Sequence, residues 1–215
     1  MKYLSSFILV LLMFSVSYSQ VQVRGSMGVD FVSTPSLYDY INQNFAGSNN
    51  QIGSFNAAVI FSGEVDYDVS QSYEIGVDLG YRLFSYNTQN TIGTYDLTYH
   101  NFMPTLINYY VINGEGYQFK FGAGAGVRFL SAEESIPGTG TKQNYSSTGF
   151  GILLRGAGNT RLSDNVYITI GVDARYDFNG EPSNGGKTLY NYASQSNVNF
   201  NSLSLGLSLG LTFYL

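Results

Sequence analysis

From Leu203 to Leu215 every second residue is large and apolar: Leu203, Leu205, Leu207, Leu209, Leu211, Phe213 and Leu215, separated by Ser, Gly, Thr and Tyr. Alternation at period two is a strand signature, because successive side chains of an extended chain point to opposite faces. A ladder this long and this apolar is stable only against lipid or protein. No other feature of the chain restricts its fold so sharply.

The same alternation recurs after residue 20, in eight segments in all. The first runs from Val21 to about Ser33, with Val23, Met27, Val29 and Phe31 on one face. The second, about residues 55–67, carries Phe55, Ala57, Val59, Phe61, Val65 and Tyr67. The third, about residues 73–87, carries Tyr73, Ile75, Val77, Leu79, Tyr81 and Leu83. The fourth, about residues 95–112, carries Leu97, Tyr99, Met103, Ile107, Tyr109 and Val111, and Pro104 inside it withholds one ladder donor. The fifth, about residues 117–131, carries Tyr117, Phe119, Phe121, Val127 and Phe129; the sixth, about residues 148–161, carries Phe150, Ile152 and Leu154. The seventh, residues 166–178, carries Val166, Ile168, Ile170, Val172, Tyr176 and Phe178, and the eighth spans about residues 199–215.

The connections alternate in length. Short turns are predicted at 68–72, 113–116 and 162–165, and long Gly/Asn/Ser-rich loops at 34–54, 88–94, 132–147 and 179–198. Within the first loop, Thr34-Pro35 reads as an N-cap with Pro at the first helical position, and Leu37, Tyr40, Ile41 and Phe45 recur at helical spacing. This predicts a short amphipathic helix over Pro35–Asn44 that plugs the mouth of its own barrel.

A barrel can alternate with either face to water, and the small face decides between the two. It holds Gly122, Gly124 and Gly126 on one segment and Ser202, Ser204, Gly206, Ser208 and Gly210 on another. Small residues suit the narrow interior of eight strands, which is only wide enough for side chains to fill. Charged residues are 12% of the chain, against about one quarter in a soluble domain, so the large apolar face meets lipid. Tyr67, Tyr73, Tyr109 and Tyr117 beside the short turns are read as one aromatic girdle, with Tyr81, Tyr99 and Tyr176 near the other interface. The N-terminus agrees with export: Lys2, an apolar run from Leu4 to Val16, and small Ser17 and Ser19 predict a signal peptide over residues 1–19, cleaved before Gln20. The barrel domain is then residues 20–215.

The last eight residues carry a family resemblance. Ser208, Gly210, Phe213 and Leu215 match the terminal strand signal by which outer-membrane barrels are recognised for assembly, although a terminal Phe is the more usual choice. With the eight-segment layout, the chain resembles the OmpA-type transmembrane barrel and its small relatives such as OmpX. The resemblance covers the barrel alone. It implies a closed, antiparallel, up-and-down barrel in the outer membrane of a Gram-negative bacterium. Short turns would be periplasmic, long loops extracellular, and the partners outer-membrane lipid and the barrel-assembly machinery.

The inward charges are the most informative polar set. Asp30, Glu64, Asp66, Glu74 and Asp78 lie on the first three segments, and Lys120, Arg128, Arg155 and Arg175 on the fifth to seventh, with Arg82 and Asp173 supplying the opposite sign locally. Counted from the turns, Asp78, Arg155 and Asp173 fall at one depth, and Arg82, Arg128 and Arg175 nearer the outside. A water-poor lumen tolerates charge only when it is paired, so these side chains are expected to interlock as a plug. The alternative is a narrow path for ions or small solutes.

Catalysis has little to stand on. The single histidine, His100, is placed by the parity of its segment on the inward face, and no Gly-x-Ser-x-Gly elbow is present. One His and no Cys make a metal site or a bound cofactor unexpected, and a net charge of −5 disfavours nucleic acid. Three readings follow: a structural barrel presenting loops for adhesion or ligand binding, a narrow porin-like pore, and a lipid A-modifying enzyme using His100.

Overall fold

The structure is a computed structural model and describes residues 21–47, 50–90, 93–138 and 141–215. The export segment read over residues 1–19 lies outside the described residues. Eight long strands follow one another: β1 (Val21–Ser33), β2 (Asn56–Ser70), β3 (Tyr73–Asn90), β4 (Gly93–Gly114), β5 (Tyr117–Ser135), β6 (Lys142–Ser163), β7 (Val166–Phe178) and β8 (Ser202–Tyr214). Each pairs antiparallel with its chain neighbours, and β8 also pairs with β1, from Gln22 opposite Tyr214 to Ser33 opposite Leu203. The ring is therefore closed, which is the condition for strands in a medium that offers no hydrogen bonds. The fold is an all-β, eight-stranded, up-and-down barrel.

Three tight turns close one rim, at 71–72, 115–116 and 164–165. Gly116 holds φ +80 there, a conformation that costs a side-chain-bearing residue strain. Helix α1 (Pro35–Asn44) occupies the predicted span between β1 and β2. Thr34, however, makes no side-chain capping bond; its carbonyl accepts from Tyr38 N at 3.0 Å.

Two connections read as long loops are mostly strand. The β3–β4 hairpin continues to Asn90 and Gly93, and the β5–β6 hairpin to Ser135 and Lys142. Above the apolar belt the strands stand in water, so Ser85, Asn87, Asp96 and Asn144 turn outward while Phe84, Tyr95, Leu97, Leu130 and Tyr145 are buried. Their polar composition marked an exit from lipid, not an end of pairing.

Seven strands turn the predicted apolar face outward, and Leu205 and Leu209 of β8 are 53% and 59% exposed. The fourth is inverted. Tyr95, Leu97, Tyr99, Met103, Ile107, Tyr109 and Val111 face the interior, and Phe102, Leu106, Tyr110 and Ile112 face outward. Both faces of β4 are apolar, so alternation could not choose between them. The neighbouring strand does: a Cβ on Gly122 would lie 2.5 Å from the Tyr109 ring and 3.0 Å from Ile107. The glycines of β5 vacate the space that the large inward residues of β4 fill. Tyr99 and Tyr109 thus leave the predicted girdles, and Tyr110 takes the outward place beside the turn.

Candidate functional site

The lumen below the extracellular rim is filled by an alternating chain of arginines and carboxylates. Arg24 Nη2 lies 2.6 Å from Glu64 Oε2, and Arg155 Nη1 lies 2.5 Å from the same oxygen. Arg155 also reaches Asp78 at 3.3 Å and Asp173 at 2.6 Å. Arg175 joins Asp173 at 2.8 Å to Asp30 at 3.5 Å. Arg82 joins Asp30 at 2.8 Å to Asp177 at 2.9 Å, and Arg128 ends the series 2.5 Å from Asp177. Five arginines meet five carboxylates in one connected path, all of them buried.

Neutral groups complete it. Tyr109 donates to Glu64 at 2.9 Å, Ser62 donates to Asp78, Arg82 donates to Ser204 at 2.7 Å, and Arg128 donates to Thr105 at 3.1 Å. The absent side chain of Gly206 leaves the space that Asp30 Oδ1 occupies. Charge-assisted bonds of this density resist separation, since each member removed would strand its partners away from water.

Arg24 and Asp177 belong to this path and were not singled out from the sequence. Parity could have found both, because Arg24 shares a face of β1 with Asp30, and Asp177 shares a face of β7 with Arg175. Nearer the tight turns, Lys120 is 2.8 Å from Asp66 and 2.5 Å from Glu74, with its ammonium 5.3 Å above the Tyr109 ring.

The extracellular end is sealed differently. Leu37, Tyr38, Tyr40 and Ile41 of α1 pack into an apolar cluster with Val32, Phe84, Tyr95, Leu97, Tyr99, Leu130, Leu189, Val198 and Phe200. Between β7 and β8, a two-residue antiparallel pairing, Tyr190–Asn191 with Ser196–Asn197, is tied to α1 through Asn191, which hydrogen-bonds Gln43 and Asn44. Inside this cap Glu134 accepts hydrogen bonds from Tyr40 at 2.8 Å and Tyr95 at 3.0 Å.

Burial raises the carboxyl of Glu134 above its ordinary range, against the opposing effect of the two phenol donors. A raised folded-state value means that its stabilising contribution is present below the unfolded carboxylate range and is lost as pH rises through the folded value. At neutral pH the cap therefore carries a cost that Glu134→Gln removes, while the amide oxygen still accepts from both tyrosines. The substitution is expected to slow proteolysis of the extracellular hairpins at neutral pH and to leave it unchanged in acid. Faster cleavage at neutral pH would contradict this account.

His100 does not face the lumen. The inversion of β4 puts it outside, where its Nδ1 and the Tyr81 hydroxyl are 2.6 Å apart at the upper edge of the apolar belt. The residues of the terminal signal lie along the closing seam: Ser208 stands opposite Gly28 and Gly210 opposite Ser26 on β1, while Phe213 and Leu215 are exposed on the lipid side.

A closed antiparallel ring of eight strands, with an apolar belt outside, charge inside, tight turns on one rim and long hairpins on the other, defines the fold of the small outer-membrane β-barrels. Among solved structures it is similar to Neisserial surface protein A, at 15% identity and a TM-score of 0.52, over 93% of this chain and 100% of that one. It is also similar to the outer membrane protease OmpT from Escherichia coli, at 9% identity and a TM-score of 0.50, over 94% and 99% of the two chains. At such identities the likeness is one of fold. No protein-family profile and no curated protein matches the sequence.

Proposed function

We propose that this outer-membrane barrel is a non-enzymatic, non-conducting scaffold whose extracellular rim does the binding. The observation that carries the reading is the double closure of the lumen, by the arginine–carboxylate path in the membrane and by the α1 cap above it. The rim is built on the barrel itself. Its hairpins continue the barrel ladder, and the Tyr190–Tyr192 pair, with Tyr192 80% exposed, stands on the turn anchored by Asn191. Rigid aromatic and amide side chains lose little conformational entropy on contact, which suits adhesion or ligand capture. Outer-membrane lipid is the partner of the belt. Export through a cleaved residue 1–19 signal, and delivery to the assembly machinery by Ser208, Gly210, Phe213 and Leu215, belong to the same reading.

Purified barrel in planar bilayers is expected to give no steady conductance at moderate salt. Steady openings, lost when Arg155 or Asp173 is neutralised, would replace this reading with the narrow pore. The same preparation should migrate differently on a gel when left unboiled, as a folded closed barrel does. Identical mobility before and after boiling would remove the membrane barrel itself. The lipid-modifying reading is disfavoured by the outward placement of His100, whose Nδ1 is held by the Tyr81 hydroxyl at 2.6 Å.

A further inference from the structure

The arginine–carboxylate path is balanced, five against five, but the cluster nearer the tight turns is not. There Asp66 and Glu74, both buried, face the single ammonium of Lys120, and half-buried Asp68 adds a third carboxylate at the mouth. Lys120 donates to Gln22 Oε1 and Asp66 Oδ2, each at 2.8 Å, and its ammonium lies 2.5 Å from Glu74 Oε2. Gln22 Nε2 then bridges Asp68 at 2.9 Å and Glu74 at 3.0 Å, and Gln118 donates to Glu74 at 3.2 Å.

Two oxygens of these carboxylates are left without a hydrogen bond, Asp66 Oδ1 and Glu74 Oε2, and only the second touches the ammonium. Asp66 Oδ1, on a residue 1% exposed, has no hydrogen-bond partner and stands over Gly76, where any Cβ would collide with it. The nearest other cations are Arg155, engaged by Glu64, Asp78 and Asp173, and Arg24, which attracts Asp66 but is paired with Glu64 at 2.6 Å. The carboxylate of Glu64 also faces Asp66 and adds to the negative charge there, while Tyr109 on β4, Asn159 on β6, Thr169 on β7, and Thr212 and Tyr214 on β8 are neutral. Asp66 and Glu74 share the one ammonium, and a second buried negative charge without a counter-charge of its own is costly. Among the described residues no three carboxylates converge as metal ligands do.

We propose that the Asp66–Glu74–Lys120 cluster binds one proton, taken from the periplasmic side through Asp68, and that the folded barrel holds it at neutral pH. Gly76 is the residue that keeps room for the bare oxygen, and Gln22 is the bridge between the buried carboxylates and the one at the mouth.

The test compares urea unfolding of the wild-type barrel in phosphatidylcholine vesicles with the variants Glu74→Gln and Asp66→Asn. Each variant removes one negative charge; Asp66→Asn keeps an oxygen for Lys120, and Glu74→Gln keeps one for the donations from Gln22 and Gln118 while giving up the Oε2 contact with Lys120. Between about pH 7 and about pH 9 the wild-type unfolding constant is expected to rise about tenfold per pH unit, since the folded state carries one more proton than the unfolded chain. Either variant should flatten that slope. The folded wild type should also show the infrared carbonyl band of a carboxylic acid in that range, and the variants should lack it. A flat wild-type slope overturns the proposal, as does a band that survives in both variants. So does stability that follows sodium concentration instead of pH, which would make the counter-charge a metal cation. Should the variants not fold, the wild-type slope and its sodium dependence still decide.

Discussion

Replacing Arg155 by Met is expected to lower the unfolding free energy by about 3–5 kcal/mol, the usual cost of removing one partner from a buried ionic cluster. Arg155 is the branch point of the path, touching Glu64, Asp78 and Asp173, and it is buried. Its loss leaves Asp78 with no cation at all among the described residues, and Glu64 and Asp173 with one each, Arg24 and Arg175. Arg24→Met should cost much less, because Glu64 keeps Arg155. Urea titrations of the two variants in the same lipid give the comparison. Equal and small losses would mean that water enters the lumen freely and screens the carboxylates. The plug would then be wet, and the non-conducting reading would weaken with it.

Gly126→Ala is expected to damage the barrel comparably, through packing and not charge. A Cβ at this position would collide with the Pro104 carbonyl oxygen and lie 2.6 Å from Thr105 Cα. These are backbone atoms of the adjacent strand, and they cannot swing away as a side chain can. Relief requires β4 and β5 to separate where Pro104 already deprives the ladder of a donor. A loss of about 3 kcal/mol, at the upper end of overpacking, is the expected outcome, seen as a smaller heat-modifiable fraction and an earlier urea midpoint. Gly25→Ala is the control: it points to lipid with nothing within 4 Å, and should change stability by no more than about 0.5 kcal/mol. If the two substitutions behaved alike, the close approach of β4 to β5 would not be what Gly126 serves.

Most of the barrel was legible because its signal is one-dimensional. On β8, Leu and Phe alternate with Ser, Gly and Thr, so the face of each residue follows from its position, although the strand begins at Ser202 and not near Asn199. β7 is equally plain, and its observed span coincides with the predicted one. β4 was misread for the opposite reason, since Ile107, Tyr109 and Val111 inside and Leu106, Tyr110 and Ile112 outside are chemically alike. Only the space vacated by Gly122 on the next strand tells them apart, and that strand is a neighbour in space as well as in sequence. His100 inherited the same error.

The charged interior was legible as a set but not as a circuit. Parity puts Asp30, Glu64, Asp66, Asp78, Arg82, Lys120, Arg128, Arg155, Asp173 and Arg175 inside, and the structure buries every one of them. Which cation meets which carboxylate depends on strands far apart in the chain, as in the 2.5 Å approach of Arg155 to Glu64, 91 residues away. No local pattern encodes such a distance.

By itself the amino-acid order determined the solvent of each face on every strand but β4, since a residue's hydrophobicity and its parity along a strand are both local properties. It therefore determined a closed, lipid-facing ring with charge inside. The tertiary structure alone decided the orientation of β4, the continuous arginine path and the imbalance around Lys120. Each of these depends on which side chains the closed ring brings across the lumen, and shape and charge are matched there only after the ring has formed.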